Sequence, residues 1–179
     1  GMMRLLMQHG GHVAANKQRE DGRTALMLVA RWGDEYGAEM MRVLLSAGAD
    51  PNKQDEDGDT TLMYAARWGG EHGAGMMHVL TQHDGHVAVN KQSNLGWTAL
   101  IIATQHGGKH AETMMRVLLS AGADPNKQDK CGTTALLLAA QHGREHGVAM
   151  MRLLVDAGAD ANKQSNLGWT ALIIATQHG

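Results

Sequence analysis

The chain has 179 residues, 43% of them hydrophobic, with 16 basic side chains against 18 acidic ones. That balance lacks the basic excess on which phosphate contacts rest, so nucleic acid is not an expected partner. No apolar run reaches the ~20 residues needed to span a bilayer, and Gly1-Met2-Met3-Arg4 is not a signal-peptide opening, so no membrane is expected either.

Aromatic residues make up 3% of the chain and Phe is absent. The core must therefore be built from Leu, Ile, Val, Met and Ala, which suits closely stacked helices better than a β-sandwich. A single cysteine, Cys131, cannot form an internal disulfide, which fits a reducing, cytoplasmic or otherwise intracellular setting.

Residues 1–15, with Met2, Met3, Leu5 and Leu6, read as a second helix and loop without a first helix. The next unit, 16–51, is complete. Thr24 is a helix start after the turn residue Gly22; Leu26, Val29 and Ala30 share one helical face, and Gly33 ends the helix. After a short polar connection, Met40, Met41, Leu44 and Leu45 mark a second amphipathic helix that Gly48 stops. A polar, turn-rich stretch up to Gly58 reads as an exposed hairpin.

The same order returns along the chain. Asn-Lys-Gln begins at Asn16, Asn52, Asn90, Asn126 and Asn162, at spacings of 36, 38, 36 and 36. A Gly-x-Thr-x-Leu follows each, from Gly22, Gly58, Gly96, Gly132 and Gly168. Residues 90–107 recur identically at 162–179, and 40–55 at 114–129, the mark of tandem duplication of a two-repeat block. The boundaries are thus 1–15 (partial), 16–51, 52–89, 90–125, 126–161 and 162–179 (hairpin and first helix), in one continuous array. A two-helix unit of this size cannot bury its apolar face alone and must stack on its neighbours. Met2, Met3, Leu5, Leu6, Ile173 and Ile174 are not cap-like, which points to a fragment of a longer array; the alternative is a chain that self-associates through open ends.

These residues resemble the ankyrin repeat, whose signature runs Asp-x-x-Gly-x-Thr-Pro-Leu-His-x-Ala-Ala and later Leu-Leu-x-x-Gly-Ala-Asp. Asp55, Gly58, Thr60, Leu62, Ala65 and Ala66 match the first part, and Leu44-Leu45 with Gly48-Ala49-Asp50 the second. The resemblance implies an all-α solenoid of stacked helix-turn-helix repeats with hairpin loops. Three departures stand out. The period is 36 rather than about 33, with the extra residues between the helices (around Glu35-Tyr36-Gly37 and Glu71-His72-Gly73), which predicts a longer turn or one more helical turn. Ala25, Thr61, Ala99, Ala135 and Ala171 replace the Pro. Met27, Met63, Ile101, Leu137 and Ile173 replace the His, so apolar packing is expected in place of its hydrogen bonds. One unit also carries a two-residue extension around His83 to Ala88.

The resemblance implies a non-catalytic scaffold that binds a protein partner on a concave face of hairpin tips and first helices. The tip position after the hairpin Gly is Arg23, Asp59, Trp97, Thr133 and Trp169; the position before the inter-helix Gly is Trp32, Trp68, His106, His142 and His178. All four tryptophans fall in these two rows, and Trp is enriched at interface hot spots. Leu95 and Leu167 add apolar surface beside the tips, and Arg31 and Arg67 add charge. The alternative reading is that the tryptophans only pack locally and the chain is a structural spacer.

Eleven histidines raise a metal-binding alternative. His106 and His110 are four apart, as are His142 and His146, but Gly107-Gly108 and Gly143 break each pair, and no Glu follows the first His. His78, His83 and His86 form a second, weaker cluster. Both sets read first as polar turn residues multiplied by duplication, with histidine-based metal binding the less expected alternative; the row His106, His142 and His178 also admits pH-sensitive binding. Cys131 has no evident base, no Gly-rich phosphate loop is present, and no catalytic residue, cofactor or small-molecule substrate is expected.

Overall fold

The computed structural model describes residues 15–83, 87–106, 108–142 and 144–178, with only the backbone at 144, 145 and 178. The predicted partial unit 1–15 therefore lies almost wholly outside the described residues. Two compact units divide the chain, one ending at Ala88 and the other starting at Val89.

The first unit holds α1 (Ala25–Trp32), α2 (Gly37–Ser46), α3 (Thr61–Trp68) and α4 (Gly73–Gln82). Here α1 packs on α2 and α3, and α4 on α2 and α3. The second holds α5 (Ala99–His106), α6 (Ala111–Ser120), α7 (Ala135–His142), α8 (Arg144–Asp156) and α9 (Ala171–His178). In this unit α7 packs on α5, α8 and α9, while α6 packs on α5 and α8. Each unit is thus a double layer, first helices against first helices and second against second. The core between them is aliphatic and thioether, with Leu26, Met27, Met41, Met63, Met76 and Met77 fully buried in the first unit and Leu100, Ile101, Ile102 and Met114 in the second.

The helix starts are those predicted. Thr24 and Thr60 have extended backbone, and their side chains accept the N–H of Met27 and Met63 at 3.4 Å. Each methionine sulfur in turn accepts the cap residue's N–H, also at 3.4 Å. This closes a reciprocal cap in which a thioether does the work usually given to Glu or Gln. The expectation of purely apolar replacement is corrected here: Met27 and Met63 keep a weak polar contact. In the second unit Thr98, Thr134 and Thr170 cap Ile101, Leu137 and Ile173, whose side chains have no acceptor to return.

Both predicted forms of the inter-helix insertion occur. A short 3-10 turn, Gly70–His72 or Gly108–His110, bridges α3 to α4 and α5 to α6. In α8 the residues extend the helix itself, to 13 residues against 10 in α2, α4 and α6. At the far end, Gly48, Gly122 and Gly158 take positive φ, letting the next N–H reach back to Leu44, Leu118 and Leu154. Helix α4 lacks that glycine and leaves through extended His83 instead, where the two-residue extension begins.

Asn-Lys-Gln builds the hairpins. Gln18, Gln54, Gln92 and Gln128 each donate to the carbonyl of their own hairpin glycine at 2.6–2.7 Å. The same Nε2 of Gln18, Gln92 and Gln128 also donates to the carbonyl of the next glutamine, at 2.9 Å. The asparagines clasp the following loop: Asn90 and Asn126 donate to Gly122 and Gly158, and accept from Asp124 and Asp160. Hairpin backbones then stack directly. Gly22 has φ +75 and a Cβ there would sit 2.8 Å from Asp55 Cα, so only glycine fits.

Asn126→Ala removes two bonds to the next loop, whereas the side chain of Asn162 makes none among the described residues. We expect Asn126→Ala to cost about 1–2 kcal/mol in urea unfolding and Asn162→Ala to stay near zero. Equal costs would place the ladder's contribution elsewhere.

Candidate partner-binding face

Hairpin tips and the C-terminal turns of first helices supply this face in each unit. In the first, α1 and α3 both end in Arg-Trp. The guanidinium carbon of Arg31 lies 4.8 Å from the ring centres of both Trp32 and Trp68, and that of Arg67 lies 4.9 Å from Trp68. Tyr64, one turn before Trp68, packs against it with ring centres 4.8 Å apart and planes tilted by 45°. Trp32 is 72% exposed, while Trp68 is the more covered of the two.

Below this row lies a polar network. Arg23 Nε donates to the Tyr64 hydroxyl, which donates to Asp55 Oδ2, both at 2.7 Å. Asp55 Oδ1 accepts the N–H groups of Asp57 and Asp59. Asp59 Oδ2 meets Arg67 Nη1 at 2.7 Å. Burial holds the Asp59 carboxyl above its usual range, against the opposing pull of Arg67. Burial and the bond to the Asp55 carboxylate push the Tyr64 phenol up to about 12.

In the second unit the helix-end row carries histidines. Trp97 is half-buried and its ring lies 5.8 Å from that of exposed His106. His142 is exposed; the side chain of His178 lies outside the described residues. Leu95 and Leu167 stand 63% and 85% exposed at their hairpin tips. Between the last two hairpins and α7 and α9 runs an open groove of about 540 Å³, lined by Cys131, Leu137, Leu138, Leu167, Trp169 and Ile174 among others.

Against models of known families, residues 35–129 and 108–179 match ankyrin repeats, in three copies. The chain belongs to the ankyrin repeat family. No curated protein matches it. Ankyrin repeats are in general protein–protein interaction modules, typically without catalysis, and the helical solenoid expected of the family is the fold observed.

Several site expectations need revision within this ankyrin fold. Asp59 was expected at an exposed tip, yet it is 4% exposed and tied to Arg67, because a carboxylate beside a buried hairpin backbone finds its donors inside. Arg23 is half-buried and engaged by Tyr64. Tyr64 itself was missed. Its signal was present: it stands where the other repeats carry Leu28, Ile102, Leu138 and Ile174, a polar-tipped ring in an aliphatic row. The groove residues Leu137, Leu138 and Ile174 were also missed, being apolar like the core. Cys131 is free, and it is exposed. Among the described residues no group of three or more His, Cys, Asp or Glu could hold a metal ion, and no helix is long and apolar enough to cross a membrane. His86 lies outside the described residues.

The tyrosine network predicts a titration. With Tyr36→Phe leaving one phenol, absorbance at 295 nm should show ionisation centred near 12 rather than near 10. Because the folded value is the raised one, the unfolded chain loses its proton first, and stability should fall between about pH 10 and 12. Ionisation near 10 would mean that the Arg23–Tyr64–Asp55 chain is not formed.

Proposed function

We propose that this ankyrin array is a non-catalytic scaffold that holds a protein partner on the face of hairpin tips and first helices. The observation that carries the reading is the exposure on that face of large apolar side chains: Trp32, Leu95 and Leu167 stand in water, and Trp169 and Leu167 edge an open apolar groove. Isolated exposed leucines are ordinary on protein surfaces; an exposed Trp32 in a row with Trp68 in the first unit, and two tip leucines at the same repeat position with a groove beside Leu167 in the second, support an interaction surface. Trp68 and Trp97 are part packing and part surface, so the four tryptophans divide in role. A free, exposed Cys131 supports residence in a reducing, intracellular compartment.

The test uses Trp32→Ala and Leu167→Ala, which lie outside the core. Each should leave unfolding within about 0.5 kcal/mol of the parent and abolish capture of the partner in affinity purification. Trp68→Ala, by contrast, should destabilise, since it removes the ring contact with Tyr64 and the shelf under two arginines. A partner retained equally by both surface variants would overturn the reading, and no specific partner at all would favour a spacer.

A further inference from the structure

The three arginines of the first unit's face are not equivalent. Arg67 is bound to Asp59 at 2.7 Å, and Arg23 to the Tyr64 hydroxyl with Asp21 3.5 Å away. Arg31 makes no ion pair or hydrogen bond among the described residues. Its guanidinium carbon lies instead 4.8 Å from the centres of two indole rings, those of Trp32 and Trp68, and its Nε is shut off from solvent with no hydrogen-bond partner.

We propose that the Arg31–Trp32–Trp68 patch takes a carboxylate from an acidic segment of the partner protein, with an apolar neighbour of that carboxylate resting on the open ring of Trp32. This rests on the hairpin-and-first-helix face being the binding face. The guanidinium carbon is held 4.8 Å from both ring centres and Nε is closed off, which leaves the two terminal Nη groups as its recognition edge. A carboxylate fits that edge bidentately. A purely apolar segment would bury the cation without a counter-ion, which is unfavourable, and a basic one would meet three guanidiniums. A nucleic-acid strand carries anions too, but it needs a row of cations, and here Arg67 is already paired with Asp59 and Arg23 lies beside Asp21, on a chain of net charge −2.

Panning the whole chain against a phage-displayed library of short random peptides tests this, with fluorescence anisotropy on the enriched sequences. Peptides carrying Asp or Glu beside a large apolar residue should be enriched. Their affinity should fall roughly tenfold or more on Arg31→Gln, the scale of a lost charge-assisted pair, and less on Arg31→Lys. Changing the peptide's acid to its amide should cost the same on the parent chain, a measurement that needs no variant of the protein, and should cost nothing further on Arg31→Gln. Enriched peptides that lack an acid, or whose amide forms bind as well, overturn the acidic assignment while their dependence on Trp32 preserves the binding face. Peptides indifferent to both Trp32→Ala and Leu167→Ala, or no enriched peptide, overturn the face and the assignment together. A labelled oligothymidine that competes through Arg31 would replace the acidic segment with a nucleic acid.

Discussion

Everything in either unit hangs on the hairpin carrying its own fastenings. A loop that leaves backbone amides unpaired cannot be stacked against another loop without loss, because each buried orphan group costs about as much as a hydrogen bond gains. Gln92 solves this in one side chain: it closes its own turn on Gly96 and reaches the carbonyl of Gln128 in the next. Direct backbone bonds, Lys130 N–H to Leu95 and Asn166 N–H to Cys131, complete the stack. Within each unit the spacing of 36 is therefore a mechanical register. The three-residue insertion is found between the helices, where a 3-10 turn or a longer α8 takes it up, and the two-residue extension of the one 38-residue spacing begins at His83, after α4.

Once the hairpins are in register, residues about one repeat apart in sequence become neighbours, and the site follows from that. Arg31 and Trp68 meet because α1 and α3 lie side by side. Arg23, in the hairpin before α1, reaches Tyr64 on α3. The first unit spends its polar groups in a connected network under an aromatic row, so its surface is positioned from below. The second unit replaces Arg-Trp by Gln-His at the helix ends, and Tyr64 by Ile102 and Leu138, so its face is an apolar groove rather than a charged clamp.

The repeat, the helix starts at Thr24 and Thr60, the turn glycines and the two tryptophan rows were all legible in the sequence, since each is a local pattern multiplied by duplication. What was not legible depends on contacts between repeats. Asp59 and Thr133 occupy the same position in the pattern, and only the presence of Arg67 across the turn sends the first inward. Methionine at the place of the family's histidine reads as apolar; that its sulfur faces the Thr24 amide is a matter of rotamer, not of residue class. The aromatic clamp on Arg31 needs both α1 and α3 in place before it exists at all.

The identical segments 90–107 and 162–179 show how far neighbours rather than sequence decide the outcome. Both fold into the same hairpin and the same helix with the same threonine cap. Yet Leu100 is 1% exposed and its counterpart Leu172 is 74% exposed, because α7 and α6 cover α5 while among the described residues α9 packs on α7 without a second helix of its own. Identical local propensity with opposite burial means that helix and hairpin formation belongs to the repeat, whereas core formation belongs to the pair of repeats. The apolar surface so left on α9 is of a different kind from Trp32 or Leu95. It lies on the residues that elsewhere form the core, so its exposure reflects stacking, while Trp32 ends a helix that packs on α2 and α3, and Leu95 sits in a hairpin bonded to the next one, and both are exposed all the same.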